Sequence, residues 1–199
     1  STSGTGTEGT DYGTISDITI SAGDTTGTAS FTPTDDSVYE GDETGIVAIS
    51  TVSGGSATED GTQSVTITIT ENESSPTITL ATSASNIAEN AGSSLTLTAT
   101  SSVTADEDIT VTITTSGTGT EGTDYSTISD ITISAGDTTG TASFTPTDDS
   151  VYEGNETGIV AIDSVSGADA AESGSQSVTI TITENDSSPT ITLATSATS

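Results

Sequence analysis

The chain has no Lys, Arg, His or Cys among its 199 residues. Without basic side chains it has no means of offsetting phosphate, which excludes nucleic acid and anionic membrane surfaces as electrostatic partners. Without cysteine it forms no disulfide, thiolate metal site or cysteine nucleophile. Because 30 acidic residues give a formal net charge of −30, the partner of this surface must be cationic. Calcium and magnesium fit, since hard divalent cations prefer carboxylate and carbonyl oxygens.

The chain is also poor in apolar residues (29%) and aromatic residues (3%), a composition that leans towards disorder. The arrangement of the apolar residues argues against disorder. The segments PTITLAT (76–82), SLTLTAT (94–100) and SVTITIT (177–183) alternate aliphatic residues with Thr or Ser, which is the period of a half-buried strand. No stretch reaches the roughly 18 apolar residues of a membrane helix, so we expect no membrane insertion in this segment.

The sequence repeats itself. The segment SGTGTEGTDY begins at Ser3 and again at Ser116, an offset of 113, and only 13 of the 86 positions compared at this offset differ. One complete unit fits residues 76–188, so residues 1–75 are expected to be a partial unit lacking its first strands, and 189–199 the first strand of a further unit. We expect a tandem array within a longer chain. The rival interpretation is that the terminal strand completes the open sheet of a neighbouring chain.

Seven short strands separated by Gly, Asp and Ser, with no helical periodicity, predict an all-β fold of tandem immunoglobulin-like Greek-key β-sandwich domains. The predicted strands of the complete unit are 77–82, 94–101, 108–115, 130–134, 139–145, 157–164 and 177–183. The predicted core is thin and consists of Ile78, Leu80, Leu95, Leu97, Ile109, Val111, Ile113, Ile131, Ile133, Phe144, Val160, Ile162, Val178, Ile180 and Ile182.

Topology predicts where the acids meet. In such a sandwich, the loops after the first, third and fifth strands gather at one end with the end of the last strand. Eight carboxylates fall on these four segments: Glu89, Asp124, Asp148, Asp149, Glu153, Glu156, Glu184 and Asp186. This number suits calcium, which takes six to eight oxygen ligands.

Other acids have a simpler interpretation. We interpret Asp17, Asp24, Asp130 and Asp137 as solvated turn residues, because Asp favours turns; Glu8 and Glu121 are interpreted in the same way. Surface solubility or salt adaptation is the alternative for the main cluster. We expect no enzyme. A carboxylate pair hydrolyses glycosides in other proteins, but here the same cluster recurs in each unit.

The succession of AENAG, GTxxGTDY, SAGDTTGTASF, DDxxYEGxE and SVTITITENDSSP resembles the Calx-beta domain, known from sodium/calcium exchangers and from many bacterial surface proteins. The resemblance covers residues 76–188 and most of 1–75. It implies calcium as the cofactor, with the eight acids above as ligands. In the partial unit it implies Asp11, Asp35, Asp36, Glu40, Glu43, Glu71 and Glu73.

Two departures from the exchanger pattern stand out. An Asp run closes the last strand of the exchanger domains, where this chain has ENE (71–73) and END (184–186). The third acid of their main run is replaced by Ser37 or Ser150. Both changes remove ligand oxygens, so we expect fewer ions or weaker binding per domain.

These features predict a non-enzymatic, calcium-binding structural repeat of a long extracellular or cell-surface protein. The repeat would form a calcium-stiffened stalk, fibre or filament in adhesion, matrix or biofilm formation. Its expected partners are neighbouring repeats of the same chain or of identical chains. The alternative is an adhesin module that binds a glycan or protein ligand directly, and a calcium sensor is a third possibility.

Overall fold

The structure, a computed structural model, describes residues 1–196 and contains strands but no helix among them. The predicted all-β fold class is therefore confirmed. Within the described residues there is accordingly no helix of the length and apolarity needed to span a membrane. The chain divides into two compact units, Ser1–Ser75 and Pro76–Ser199, which are the first and second unit below.

The strands are short and follow the alternation of β-branched residues with Thr and Ser. In the first unit they are β1 (Thr2–Gly4), β2 (Val38–Tyr39), β3 (Glu43–Ala48) and β4 (Ser64–Ile69). In the second unit they are β5 (Thr77–Thr82), β6 (Asn86–Ala88), β7 (Leu95–Ser101), β8 (Thr104–Ala105), β9 (Ile109–Gly117), β10 (Ile131–Ile133), β11 (Thr139–Phe144), β12 (Glu156–Ser166), β13 (Ala171–Glu172) and β14 (Ser177–Thr183).

The second unit is a sandwich of two sheets. One sheet has the order β10-β9-β12-β14-β6 and the other the order β11-β7-β5-β13. The first segment of the unit is shared between them, because β5 pairs antiparallel with β7 whereas β6 pairs parallel with β14. Neighbouring strands that are distant in the chain, such as β9 and β12, are the mark of a Greek-key arrangement.

The seven predicted strands correspond to β5, β7, β9, β10, β11, β12 and β14, with ends that differ by two residues at most. The prediction missed β6, β8 and β13. Each of these has only two or three residues, and none has the alternation of two isoleucines around Thr132 that marks the equally short β10.

The core of the second unit lies between the two sheets. Twelve of the fifteen predicted core residues are buried, whereas Leu95, Ile113 and Val178 are half-buried. The prediction omitted Tyr125, which is 1% exposed and stacks on Phe144 with ring centroids 4.6 Å apart. A Cβ at Gly158 would lie 2.6 Å from the Phe144 ring, so only glycine lets β12 approach this aromatic pair.

The first unit repeats part of this arrangement. It contains an antiparallel sheet of the order β1-β3-β4. Tyr12 stacks on Phe31 with ring centroids 4.5 Å apart, as Tyr125 does on Phe144 in the second unit. The two units therefore build the same aromatic pair from the same sequence.

Identical segments of the two units differ in burial. Ile18 and Ile20 are 57% and 58% exposed, whereas their counterparts Ile131 and Ile133 are 0% and 1% exposed. In the second unit, Ile131–Ile133 pairs with residues 109–111. That partner segment has no counterpart within residues 1–75. Formation of β10 therefore depends on pairing with a distant strand and not on the local sequence alone.

We predict that a second copy of residues 76–113, fused directly before Ser1, completes a sandwich in the first unit. The repeat offset of 113 joins this copy to Ser1 in register. Burial of Ile18 and Ile20 should stabilise the unit by about 1.5–3 kcal/mol for each side chain. Fluorescence of a hydrophobic dye should fall and the melting temperature of the first unit should rise.

The control is the same fusion with Ile78→Asp and Leu97→Asp in the added copy, since both residues are buried in the second unit. Equal dye binding by the two fusion proteins would contradict the prediction.

Candidate metal centre

Strand pairing brings four separate segments of the second unit to one end of the sandwich, the acidic pole. Strand β6 runs parallel to β14, so Glu89 follows one strand where Glu184 follows the other, and the Glu89 amide donates to the Thr183 carbonyl at 3.0 Å. Glu156 begins β12 opposite Ile182. Gly117, at the end of β9, lies opposite Gly158, so the loop after β9 carries Asp124 to the same end.

Two groups of three carboxylates form at the acidic pole. The Glu89 cluster consists of Glu89, Asp149 and Asp186, and the Asp124 cluster consists of Asp124, Glu153 and Glu156. In each cluster, one oxygen from every residue lies within 4.8 Å of the others. Two unit charges about 4 Å apart repel by roughly 4 kcal/mol at an effective dielectric constant of about 20, so each cluster needs a proton or a cation.

The two clusters adjoin. A small cleft at the acidic pole is lined by Glu89, Asp124, Thr147, Glu153, Glu156 and Glu184. Sequence reasoning missed Thr147, because a threonine beside strand β11 carries no signal that separates it from the many others in the chain. Its oxygen atoms add to a lining that otherwise consists largely of carboxylates.

Glu184 belongs to neither cluster, and its carboxylate accepts hydrogen bonds from backbone amides. Its Oε2 accepts from the amides of Glu153 and Gly154 at 2.6 and 2.8 Å, and its Oε1 accepts from the Asp186 amide at 2.7 Å. These amides, that of Asp186 above all, lower the pKa of Glu184 to about 2. Glu184 therefore ties the β11–β12 loop to the segment after β14.

Asp148 also lies outside the two clusters. It is exposed, and its Oδ1 accepts from the Asn185 side chain at 3.4 Å. Six of the eight acids predicted for the complete unit are thus brought together in threes, while Glu184 and Asp148 are held at their margin. The prediction that all eight bind calcium stays a prediction.

The first unit repeats the Asp124 cluster. Asp11, Glu40 and Glu43 form the Asp11 cluster, with the same spacing of oxygens. Glu71 is the equivalent of Glu184 in this unit, since its Oε2 accepts from the amides of Glu40 and Gly41 at 2.6 and 2.8 Å. Burial opposes ionisation of Glu71, but these and neighbouring amides outweigh it and lower its pKa to about 2.

The other predicted ligands of the first unit lie outside the Asp11 cluster. Asp35 accepts from the Asn72 side chain at 3.1 Å, and Asp36 accepts from the Val38 amide at 2.8 Å. A hydrogen bond with Glu71 raises the pKa of Glu73. No counterpart of Glu89 occurs within residues 1–75, so this unit has no equivalent of the Glu89 cluster.

Electrostatics at the acidic pole favour protonation or cation binding. Burial raises the pKa of Glu89, which is 7% exposed, and the charge of Glu184 adds to the effect. Burial, followed by the charge of Asp124, likewise raises the pKa of Glu153 and of Glu156. For Asp186, burial and then the charge of Glu184 raise the pKa.

The Oδ2 atom of Asp186 is buried and has no hydrogen-bond partner. An unsatisfied buried acceptor costs about 1–3 kcal/mol, and this one lies in a carboxylate cluster without any protein cation. A group of carboxylate oxygens that lacks both a hydrogen-bond donor and a positive charge fits a hard divalent cation.

Glu121 corrects an expectation from the sequence. It was interpreted as a solvated turn residue, but it is only half exposed, and its two oxygens accept from the Ile128 amide and the Thr115 hydroxyl at 2.6 and 2.7 Å. Glu8 makes the same two contacts in the first unit, with Ile15 and Thr2. A turn acid and a loop-bracing acid look alike in sequence, because the difference depends on partners outside the turn.

We predict that the metal-free protein is most stable at mildly acidic pH. Glu89, Glu153 and Glu156 have folded-state pKa values above the ordinary 4.5, so they destabilise the fold at neutral pH and cease to do so as the pH falls towards 4.5. Glu71 and Glu184, at about 2, contribute stability that is complete above 4.5 and is lost as the pH falls towards 2. Urea unfolding in chelator across this range should show the maximum.

The variant Glu89→Gln should lessen the rise in stability between neutral pH and pH 4.5, because its side chain no longer ionises. Asp163→Asn removes the same charge at an exposed position on β12 and should leave the rise intact. A free energy of unfolding that falls steadily from pH 7 to pH 4.5 in the unaltered protein would contradict the prediction.

The family model of the Calx-beta domain matches this chain twice, over residues 1–73 and 71–186. Two solved structures are similar. The crystal structure of the apo-form Calx CBD1 domain has 17% identity and a TM-score of 0.45, over 56% of this chain and 99% of that chain. The calcium binding domain CBD12 of CALX1.1 has 13% identity and a TM-score of 0.40, over 90% of this chain and 84% of that one. No curated protein sequence matches.

Proposed function

The chain belongs to the Calx-beta domain family, and on that premise we propose that it is a non-enzymatic, calcium-binding structural repeat of a long extracellular or cell-surface protein. Repeats of this kind would form a stalk, fibre or filament that calcium stiffens. The proposal includes the domain organisation expected from the sequence, with a partial repeat in 1–75, a complete one in 76–188 and the start of another in 189–199.

The observation that carries the calcium part is the Glu89 cluster. Three carboxylates meet there, Glu89 is almost fully buried, and the Oδ2 atom of Asp186 has no donor. The chain supplies no basic side chain to neutralise them. A bound calcium ion would supply the missing positive charge, and it would be coordinated by oxygens that have no hydrogen-bond donor.

The residues that would hold calcium follow from the three clusters. The second unit would bind through the Glu89 cluster and the Asp124 cluster, and the first unit through the Asp11 cluster. We therefore expect two ions in the second unit and one in the first. Glu184 and Glu71 would hold the loops that present these oxygens, because their own oxygens already accept from backbone amides.

The structural role is supported by the repeats. Near-identical copies suit a spacer, which needs length and repetition, whereas ligand sites usually diversify. Residues 190–197 repeat the sequence of 77–84. Within this segment Ile191 and Leu193 are 94% and 100% exposed, although their counterparts Ile78 and Leu80 are buried in β5. The shared sequence, and not this exposure, is what supports the interpretation of the segment as the opening strand of a further repeat.

The alternative, an adhesin module, has one observation in its favour. Val151 and Tyr152 are 57% and 47% exposed between two members of the clusters, Asp149 and Glu153. An exposed aromatic ring beside a calcium site would offer a contact for a glycan. Tyr125 does not add to such a surface, because it is buried against Phe144.

We predict that calcium raises the melting temperature and that a chelator lowers it. Each saturated site should add about 2.7 kcal/mol at a calcium concentration of 100 Kd, and one such site should shift the melting temperature of a domain of this size by roughly 10 °C. Scanning calorimetry with and without chelator measures the shift. Asp148→Ala combined with Asp149→Ala should reproduce the part of the chelator's effect that comes from the Glu89 cluster, because Asp149 belongs to that cluster.

The matched control is Asp163→Ala, an exposed acid on β12 outside the acidic pole. This variant should retain the calcium-dependent shift. Melting curves that coincide with and without chelator would remove the calcium part of the proposal.

We further predict that calcium sets the shape of an array. The Ser-Ser-Pro junction (74–76 and 187–189) leaves little chain between successive repeats. Further acids occupy the end of the second unit opposite the acidic pole, namely Asp106, Glu107, Asp108, Asp137, Asp169 and Glu172. Successive repeats should therefore repel until cations neutralise them, so three or more complete repeats should form an extended rod in calcium and a bent chain in chelator.

Small-angle scattering gives the maximum dimension of the array, and electron microscopy gives the spread of angles between repeats. If chelation changes neither quantity, calcium acts only within each repeat and the stiffened stalk is excluded.

A further inference from the structure

Glu121 lies three residues before Asp124, but its carboxylate forms hydrogen bonds with residues outside the Asp124 cluster. The Oε2 atom of Glu121 accepts from the Thr115 hydroxyl at 2.7 Å, and the Oε1 atom accepts from the Ile128 amide at 2.6 Å. The first unit repeats both bonds, from Thr2 to Glu8 at 2.6 Å and from Ile15 to Glu8 at 2.7 Å. The arrangement is therefore a property of the repeat.

Glu121 bridges the two ends of the loop that carries Asp124. Thr115 belongs to β9, which leads into the loop, whereas Ile128 follows the loop and is 8% exposed. The bridge therefore fixes the loop to one strand and to the edge of the core. Loss of both hydrogen bonds would leave the loop held by backbone bonds alone, such as that from the Gly122 amide to the Tyr125 carbonyl at 2.7 Å.

Inside this bridge, Asp124 is held by short-range backbone contacts. Its Oδ2 accepts from the Thr120 amide at 2.6 Å, and its own amide donates to the Thr120 carbonyl at 2.9 Å. The Asp124 carbonyl accepts from the Thr147 amide at 2.9 Å, which links this loop to the segment that leads to Glu153. The position of the Asp124 carboxylate thus depends on the shape of the whole loop.

The two donors that Glu121 satisfies are neutral. A glutamine at this position would make both contacts, because its carbonyl oxygen accepts from the Ile128 amide and its amide group donates to the Thr115 oxygen. An alanine would make neither. The role of Glu121 in the loop therefore requires the shape of the side chain and not its charge. If Glu121 bound calcium itself, glutamine would weaken binding, because the charge of the ligands tunes calcium affinity.

We propose that Glu121, and Glu8 in the first unit, are positioning residues that hold the loop so that Asp124 and Asp11 reach their carboxylate clusters, without binding the cation themselves. This inference rests on the proposed function, and it assigns a role to residues that the ligand pattern of the repeat does not include. It makes calcium affinity depend on a residue that contributes no ligand oxygen.

The test is a calcium titration of the whole chain followed residue by residue by NMR, with Glu121→Ala and Glu121→Gln. Amides of 120–125 and 153–157 report on the Asp124 cluster, and amides of 86–90 and 184–186 report on the Glu89 cluster. We expect Glu121→Ala to weaken binding at the Asp124 cluster about tenfold, which is about 1.4 kcal/mol. Glu121→Gln should stay within about twofold of the unaltered protein, and the Glu89 cluster should change little in either variant.

Several outcomes would overturn the proposal. If Glu121→Gln loses as much affinity as Glu121→Ala, the charge of Glu121 matters and the residue acts on the cation. If Glu121→Ala binds normally, the bridge does not position Asp124. If both clusters weaken equally, the substitution has disturbed the whole unit. Should Glu121→Ala fail to fold, Thr115→Val removes one of the two bonds and is expected to give a smaller loss at the Asp124 cluster alone; no loss overturns the proposal.

Backbone order parameters of residues 119–125 in chelator separate this inference from the proposed function. Glu121→Ala should lower them and Glu121→Gln should preserve them, whether or not calcium binds. Unchanged order parameters in Glu121→Ala overturn the positioning role. An absence of any calcium-dependent change in the unaltered protein instead overturns the proposed function.

Discussion

Repulsion between like charges in a chain without basic side chains is the constraint on which the rest of this structure depends. The chain has 30 acidic residues and no Lys, Arg or His, and the α-amino group of Ser1 donates to the Ala48 carbonyl. Neutralisation within the protein therefore depends on backbone amides and hydroxyl groups. These donors do not reach every carboxylate oxygen, and in the Glu89 cluster the buried Oδ2 atom of Asp186 has no hydrogen-bond partner.

The acids consequently fall into two kinds with different physical roles. Glu184, Glu71 and Glu121 accept from donors of the protein, and these bonds connect segments that are distant in the sequence. Members of the clusters have fewer such donors, and burial raises the pKa of Glu89 and Asp186. The first kind gives the loops their shape, and that shape brings the second kind together. A cation at the clusters would then stabilise a pole whose geometry the hydrogen-bonded acids already define.

The two units show how far the fold depends on distant pairing. The segment ITI forms strand β10 in the second unit, where residues 109–111 pair with it. The same three residues at 18–20 form no strand, and both isoleucines are more than half exposed. Alternation makes a segment capable of forming a strand, but burial on a neighbouring sheet supplies the free energy. The stacked Tyr–Phe pair survives in both units, because both rings lie within residues that the two units share.

Much of the fold followed from the sequence, because alternation with period two is a local property and predicted seven strands of the second unit. The order of strands and loops in a Greek-key sandwich then predicted the end at which the acids meet. Only the tertiary structure decided which acids adjoin, since Glu89, Asp149 and Asp186 come from three separate segments. It also decided that Glu121 accepts a hydrogen bond from Thr115 and that Tyr125 belongs to the core. In the same way, only folding brings Glu184 to the backbone amides of residues about thirty positions away. A carboxylate has the same side chain in all these roles, and its partners, which only folding brings near, determine what it does.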